Sequence, residues 1–239
     1  MSRSKISVLL TLLAALALGL SACGPFGDDD DESSDNASQS STTTTQEATS
    51  SPDAEPVAEI DTLTGISTEV AFDQGFVDAL GDLELEPGVV GDAEFTQNGG
   101  AAKFPITGGN VSYFDPASDV RPYVQGEIIH DGSGLSLSSE GTTVELTDFN
   151  IDPGESTLTG TVTANGEVAA EDALLFNLDG TTLKPLKVNE NFGAAVLEGT
   201  TVVLSEPAAQ LLNDTFGTDA LAGGFTVGES KITVALPEG

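Results

Sequence analysis

From residue 61 onward, polar and apolar side chains alternate with a period of two in many short stretches separated by Gly, Asn, Asp and Pro. That period fits the two faces of a strand and does not fit a helix. Strands are expected at 67–72, 101–106, 110–114, 123–130, 134–138, 142–151, 157–164, 172–178, 196–204 and 225–235. Turns are expected at Asn98-Gly99-Gly100, Thr107-Gly108-Gly109, Asp131-Gly132 and Asn165-Gly166. Val144-Glu145-Leu146 and Phe149-Asn150-Ile151 both alternate, but the phase slips between Leu146 and Phe149. Such a slip predicts a β-bulge or a bend. The whole pattern predicts a mainly β fold, an antiparallel β-sandwich or roll with two short helices.

The first helix starts from Asp73 as its cap, carries Phe76, Val77 and Leu80, and is closed by Gly81. The second is capped by Ser205, opens with Glu206-Pro207 and carries Leu211 and Leu212. Val70-Ala71-Phe72-Asp73 and Val202-Val203-Leu204-Ser205 lead into them in similar ways, consistent with either an internal duplication or two ordinary capped helices that follow strands. Nothing inside 61–239 has the composition of a linker, so this stretch is read as one extracytoplasmic β-rich domain.

The N-terminal part has a different character. Residues 1–22 hold a short basic start, an apolar run from Ile6 to Leu20 and then small residues. The run is too short for the roughly 30 Å hydrocarbon core, so it reads as a signal peptide. Leu20-Ser21-Ala22-Cys23 resembles the bacterial lipobox. That resemblance implies cleavage before Cys23 and attachment of lipid to its thiol, which anchors the chain to a membrane outside the cytoplasm. Acyl chains contribute about 0.8 kcal/mol per buried methylene, so two or three of them hold stably.

Residues 23–60 contain the run Asp28-Asp29-Asp30-Asp31-Glu32, many Ser and Thr, no basic residue and few large apolar side chains. Such a segment buries too little surface to offset its ordering entropy, and it is expected to be a disordered acidic tether.

Composition narrows the chemistry. The formal charge is −32, with 7 basic and 39 acidic residues. It falls to roughly −34 once Arg3 and Lys5 leave with the signal peptide. A field of that sign repels phosphate backbones, which argues against a nucleic-acid partner. The only cysteine is Cys23 and the only histidine His130, so no internal disulfide can form and a Cys/His zinc site lacks ligands. There is no Gly-x-Ser-x-Gly elbow, Walker loop or Gly-x-Gly-x-x-Gly turn, and the chain is read as a non-enzyme.

Two sets of candidate ligand residues remain. Asp148, Asn150 and Asp152, followed by Gly154, place oxygen ligands at alternate positions as a calcium loop does. Here the glycine comes one place late and Thr159 stands where a bidentate acid belongs, so alternate acids on the wet face of a strand explain the pattern without a metal. Tyr113, Tyr123 and His130 form the second set, as potential binding residues for a small ligand. The seven-residue separation of Tyr123 and His130 sets them on opposite faces of an uninterrupted strand, so a bulge or loop must intervene for them to meet.

Gly126-Glu-Ile-Ile-His130-Asp-Gly-Ser-Gly-Leu135, Val144-Glu-Leu-Thr-Asp-Phe-Asn-Ile-Asp152 and Leu158-Thr-Gly-Thr-Val162 follow one another in an order that resembles the HtaA-type domain of actinobacterial haem-acquisition proteins. The resemblance covers about 40 residues and implies a β-rich domain that takes haem through a tyrosine near its start, tuned by a histidine. The comparable stretch here, Phe76-Val-Asp-Ala79-Leu80, has alanine where the tyrosine is expected. Two functions are therefore carried forward: a lipid-anchored, non-enzymatic module that binds an envelope component or small ligand, and capture of haem or a metal such as calcium.

Overall fold

The computed structural model describes residues 55–236. The expected signal peptide, Cys23 and most of the expected tether lie outside them. The described chain forms thirteen strands and two helices: β1 Ala58–Ile60, β2 Ile66–Phe72, α1 Gln74–Asp82, β3 Glu86–Gly91, β4 Glu94–Thr96, β5 Ala101–Pro105, β6 Gly108–Tyr113, β7 Val124–Ser139, β8 Thr142–Asp152, β9 Thr157–Ala164, β10 Glu167–Asp179, β11 Lys187–Asn189, β12 Ala194–Leu204, α2 Glu206–Phe216 and β13 Thr226–Ala235. All strand pairs are antiparallel, in the order β1-β6-β7-β8-β9-β10-β12-β13-β2-β5-β4, with β3 added to β7 and β11 to β12. This is a mainly β fold as expected, in the form of one sheet curled into a half-barrel, a roll and not two flat layers.

The curl is closed by a single run of chain. β5 pairs with β2 and β6 pairs with β7, yet only Ile106 and Thr107 separate β5 from β6. Ile106 N–H donates to the Ile66 carbonyl at 3.2 Å, and Thr107 N–H donates to the Ile129 carbonyl at 2.8 Å. One strand-length of backbone thereby links the far side of the sheet to β7. Gly109 makes the approach feasible: its φ is +112°, and a Cβ there would sit 2.0 Å from the Glu127 carbonyl oxygen. The Thr107-Gly108-Gly109 turn expected from sequence is this crossing; Gly108 and Gly109 already belong to β6.

The other unexpected continuity is β7. Separate strands at 123–130 and 134–138 with a turn at Asp131-Gly132 were expected, but the chain runs through as one strand with a bulge between His130 and Gly134. It pairs with β6 before the bulge and with β3 after it. The phase slip expected in β8 is present opposite: the register shifts between Thr147 and Asn150, and Asp148 has φ +54°. The two irregularities are tied together, because Gly132 N–H donates to Asp148 Oδ1 at 2.9 Å. The strands β1, β3, β4 and β11 have no counterpart in the alternation pattern. β1 also lies before residue 61, within the stretch read as tether, and pairs Ala58–Ile60 with Val111–Tyr113 of β6.

Both helices form where their caps predict. The Asp73 carboxylate accepts from Gly75 N–H and the Ser205 hydroxyl from Ala208 N–H. α1 ends one step beyond Gly81, with Leu83 as C-cap, whereas α2 stops at Gly217 in the left-handed region. Their settings differ: β12 and β13 flank α2 and pair with each other, whereas β2 pairs with β13 and β5, and β3 pairs with β7. Leu80, Ala208, Ala209 and Leu212 enter the same buried cluster as Leu85, Phe104, Val144, Leu175 and Leu204. Among the described residues no helix is long and apolar enough to cross a membrane.

Candidate functional site: an apolar cavity in the open end of the roll

α1 follows the end of β2 and α2 follows the end of β12, so both helices close the same end of the roll. The other end is not filled. Cross-strand rows of inward side chains run around it: Ile128 opposite Ile151, and Ile151 opposite Leu158, across β7, β8 and β9. Thr68 stands opposite Ile232, and Ile232 opposite Leu197, across β2, β13 and β12. These rows wall a cavity of about 640 Å³ whose surface is overwhelmingly apolar. Neither helix contributes to its lining. Small-molecule sites are commonly apolar clefts of roughly 300–1,000 Å³ with a few placed polar groups, and this cavity matches that description.

Tyr113 and Tyr123 form one side of the cavity. Tyr113 ends β6, Tyr123 immediately precedes β7, and their rings meet edge to face with centroids 5.8 Å apart. Phe114 N–H donates to the Tyr123 carbonyl at 2.7 Å and closes the base of the loop between them. The loop is stapled by Arg121, whose guanidinium donates to the carbonyls of Pro116, Ser118 and Val120 at 3.0, 2.8 and 2.5 Å. Arg121 also lines the cavity, but much of its donor capacity is committed to its own loop. Partial burial raises the Tyr123 phenol above its ordinary range, and the neighbouring Tyr113 adds to this. The phenol is therefore neutral at physiological pH.

His130 is separate from the tyrosines. It is 1% exposed and borders a void of about 30 Å³ behind the cavity, together with Phe104, Phe149 and Phe176. Thr68 borders both spaces and so stands between the imidazole and the cavity. The His130 Nδ1 lies 3.3 Å from the Phe149 carbonyl oxygen, and Nε2 lies 2.9 Å from the Thr68 hydroxyl. Burial pushes the imidazole down to about 4, so it is neutral under most conditions. A carbonyl can only accept, which places the proton on Nδ1 and makes Nε2 the acceptor of the Thr68 O–H.

The three residues read as calcium ligands serve the backbone and each other's neighbours. Asp148 Oδ1 accepts from Gly132 N–H and Oδ2 from the Thr147 hydroxyl, at 2.9 and 3.0 Å. Asn150 Nδ2 donates to Glu127 Oε2 at 3.0 Å, and Asp152 Oδ1 accepts from Glu155 N–H at 2.9 Å. No group of three acidic, histidine or cysteine side chains with metal-binding geometry occurs among the described residues.

What the strand pattern did not reveal is the cavity itself. Its lining looks like ordinary core in sequence, because Ile128, Ile151, Leu158 and Val202 are inward residues of the same strands that fill the other end. A weak signal existed in Thr68 and Ser230, two small polar residues at inward positions of apolar strands.

No family model matches the chain, and no curated protein matches it in sequence. Solved structures do match in fold. The C-terminal domain of HtaA from Corynebacterium glutamicum superposes with a TM-score of 0.51 at 14% identity, over 74% of this chain and 99% of that one. The N-terminal domain of the same protein covers the same shares at 15% identity with a TM-score of 0.45. The heme-binding protein HtaB from that organism gives 0.43 at 10% identity over 74% of this chain and 96% of its own. The first of these likenesses shows that the fold is HtaA-like; at such identities nothing about ligands follows from it.

The neutral, buried His130 has a measurable consequence. Its pKa is lower folded than unfolded, so the unfolded chain binds the extra proton first and stability is lost as pH falls through the ordinary value of 6.5 toward about 4. Between pH 6.5 and about pH 5 the loss should be about 1.5 kcal/mol in urea unfolding. His130→Gln should remove that slope while lowering stability overall; parallel slopes for the two proteins would show that His130 does not titrate in this way.

Proposed function

We propose that this chain is a non-enzymatic binding module of the cell envelope, tethered through a lipidated Cys23, that holds a small, uncharged, apolar ligand in the open end of its roll. The observation that carries the reading is the apolar cavity of about 640 Å³ lined by β-strand side chains. A well-packed interior leaves few voids larger than a water molecule, and an open apolar surface of this size left to water carries a hydrophobic cost. A ligand relieves it. An anion approaches against the field of 39 acidic residues, and a cation has only the exposed, already hydrogen-bonded carboxylates of Glu59 and Asp179 in the lining to pair with, so a neutral ligand is favoured. The signal peptide and lipobox-like Leu20-Ser21-Ala22-Cys23 support the membrane address.

Haem capture in the same cavity is the second reading, favoured by Tyr113 and Tyr123 in the cavity wall. Tyrosine is a known axial ligand of haem iron, and a bound haem would supply redox or carrier chemistry that the chain's own side chains lack. The fit is incomplete. Ala79 lies on α1, which takes no part in the cavity, and has no ligating atom. His130 is buried behind Thr68 with both ring nitrogens engaged. Tyr123, with its raised pKa, gives up its proton reluctantly, and haem carboxylates meet the same repulsive field.

Three measurements test these readings. The full exported chain carrying Cys23→Ser should enhance and blue-shift Nile red fluorescence at one dye per chain. Ala195→Trp, which projects an indole into the cavity, should weaken that binding at least tenfold with the melting temperature little changed; unaltered dye binding would place the dye elsewhere and remove the basis of the cavity reading. Added haemin should produce at most a weak Soret shift. If a strong one appears that Tyr123→Phe abolishes and His130→Ala preserves, the haem reading replaces the first. Growing cells should incorporate labelled palmitate into the wild-type chain and not into Cys23→Ala, and an unlabelled wild-type chain would refute the anchor.

A further inference from the structure

The cavity is not uniformly apolar. Thr68 and Ser230 line it from the adjacent strands β2 and β13. Register pairs Val70 with Ser230 and Thr68 with Ile232, so the two hydroxyl residues sit on the same inward face, one step apart across the strand pair. They are deeply placed: Thr68 is 3% and Ser230 6% exposed. Two features distinguish them from incidental core hydroxyls.

Ser230 makes no side-chain hydrogen bond to protein among the described residues, although a buried hydroxyl normally finds a partner. Nor is its oxygen sealed in the packing, since Asn150 Oδ1 is the buried side-chain polar atom without a partner among the described residues. The Ser230 hydroxyl therefore opens on the cavity. Thr68 is oriented from behind. With the proton of His130 on Nδ1, facing the Phe149 carbonyl, Nε2 accepts the Thr68 O–H and the lone pairs of Thr68 remain as acceptors. The wall at this point offers one fixed acceptor and one free donor-acceptor, with Thr200 opposite Ser230 on β12 as a further lining hydroxyl.

We propose that the ligand carries a neutral hydrogen-bonding group, of the alcohol class, at the end that enters the cavity, where it bonds to Ser230 and Thr68. This rests on the cavity reading above and makes it more specific. A carboxylate at that end would need a cation, and the only basic residue in the lining is Arg121, which is bound to its loop carbonyls beside the tyrosines. An ammonium group at that end would find no counter-charge, because Thr68 and Ser230 supply none and the lining carboxylates, Glu59 and Asp179, are exposed and already accept from Ser112 and Thr181. A purely hydrocarbon end would strand the Ser230 hydroxyl without water or partner. A hydroxyl satisfies Ser230 and can donate to Thr68 at the same time.

The test uses α,ω-dodecanediol, which must bring a hydroxyl inward whichever end enters, and dodecanol, which can enter methyl first. Both are titrated by displacement of Nile red from the full exported chain carrying Cys23→Ser, with and without Ser230→Ala. The diol should bind about tenfold more weakly to Ser230→Ala, while dodecanol changes less than about twofold, the loss expected for one hydrogen bond from a buried partner. Equal diol affinity in the two proteins, with dodecanol bound by both, would overturn the alcohol assignment and leave the apolar cavity reading standing. Failure of both amphiphiles to displace the dye from the unsubstituted cavity would overturn both.

Discussion

The architecture depends on a paired irregularity in neighbouring strands: the bulge between His130 and Gly134 in β7, and the left-handed residue Asp148 facing it in β8. A flat antiparallel sheet of this many strands would leave one face wet along its length; extra residues in a ladder bend it and increase its twist. The bend leaves a backbone donor, Gly132 N–H, without a ladder partner, and the Asp148 carboxylate accepts it. This one contact thus lets two strands turn together. It also lets β7 change neighbours, from β6 on one side of the bulge to β3 on the other.

Curling has opposite effects at the two ends of the roll. At one end β2 and β12 run into α1 and α2, which supply Leu80, Ala208, Ala209 and Leu212 to fill the interior. Among the described residues no helix does this at the other end, where strands and the connecting segments around 121–123, 153–156 and 180–186 enclose the space. His130 lies at the transition. Its imidazole is packed edge to face against Phe104, and its two nitrogens are occupied by Phe149 and Thr68. A neutral histidine is costly to bury without partners and stable with both satisfied. Its place here is to take the Thr68 proton and leave that hydroxyl as an acceptor, so a core residue shapes the chemistry of a binding surface it does not touch.

Period-two alternation located most of the long strands because one face of each is buried, and the phase slip at Leu146–Phe149 located the bulge because a bulge must invert the pattern. The same signal failed where burial does not alternate. β4 and β11 are three-residue edge strands, and β3, with Pro87 and Gly88, shows little contrast between faces. Asp131-Gly132 has turn composition, but glycine serves a bulge as well as a hairpin, and only the pairing partner distinguishes them. Asn165-Gly166, by contrast, is a true two-residue hairpin turn with φ +52° and +84° between β9 and β10.

The site was legible only in fragments for a related reason. Hydrophobicity marks a residue as inward, without saying whether another side chain or empty space lies opposite. Tyr113 and Tyr123 stood out as rare residues, and the chain brings them together across a short loop; His130 stood out equally and is placed behind the wall. The informative residues were Thr68 and Ser230, which break the apolar pattern of β2 and β13 by a single hydroxyl each. In a filled core such hydroxyls would turn back to a neighbouring carbonyl, as Thr215 does to Leu211 within α2. Ser230 has no such bond among the described residues, and a polar inward position that fails to find a protein partner is where a curled sheet differs from a closed core.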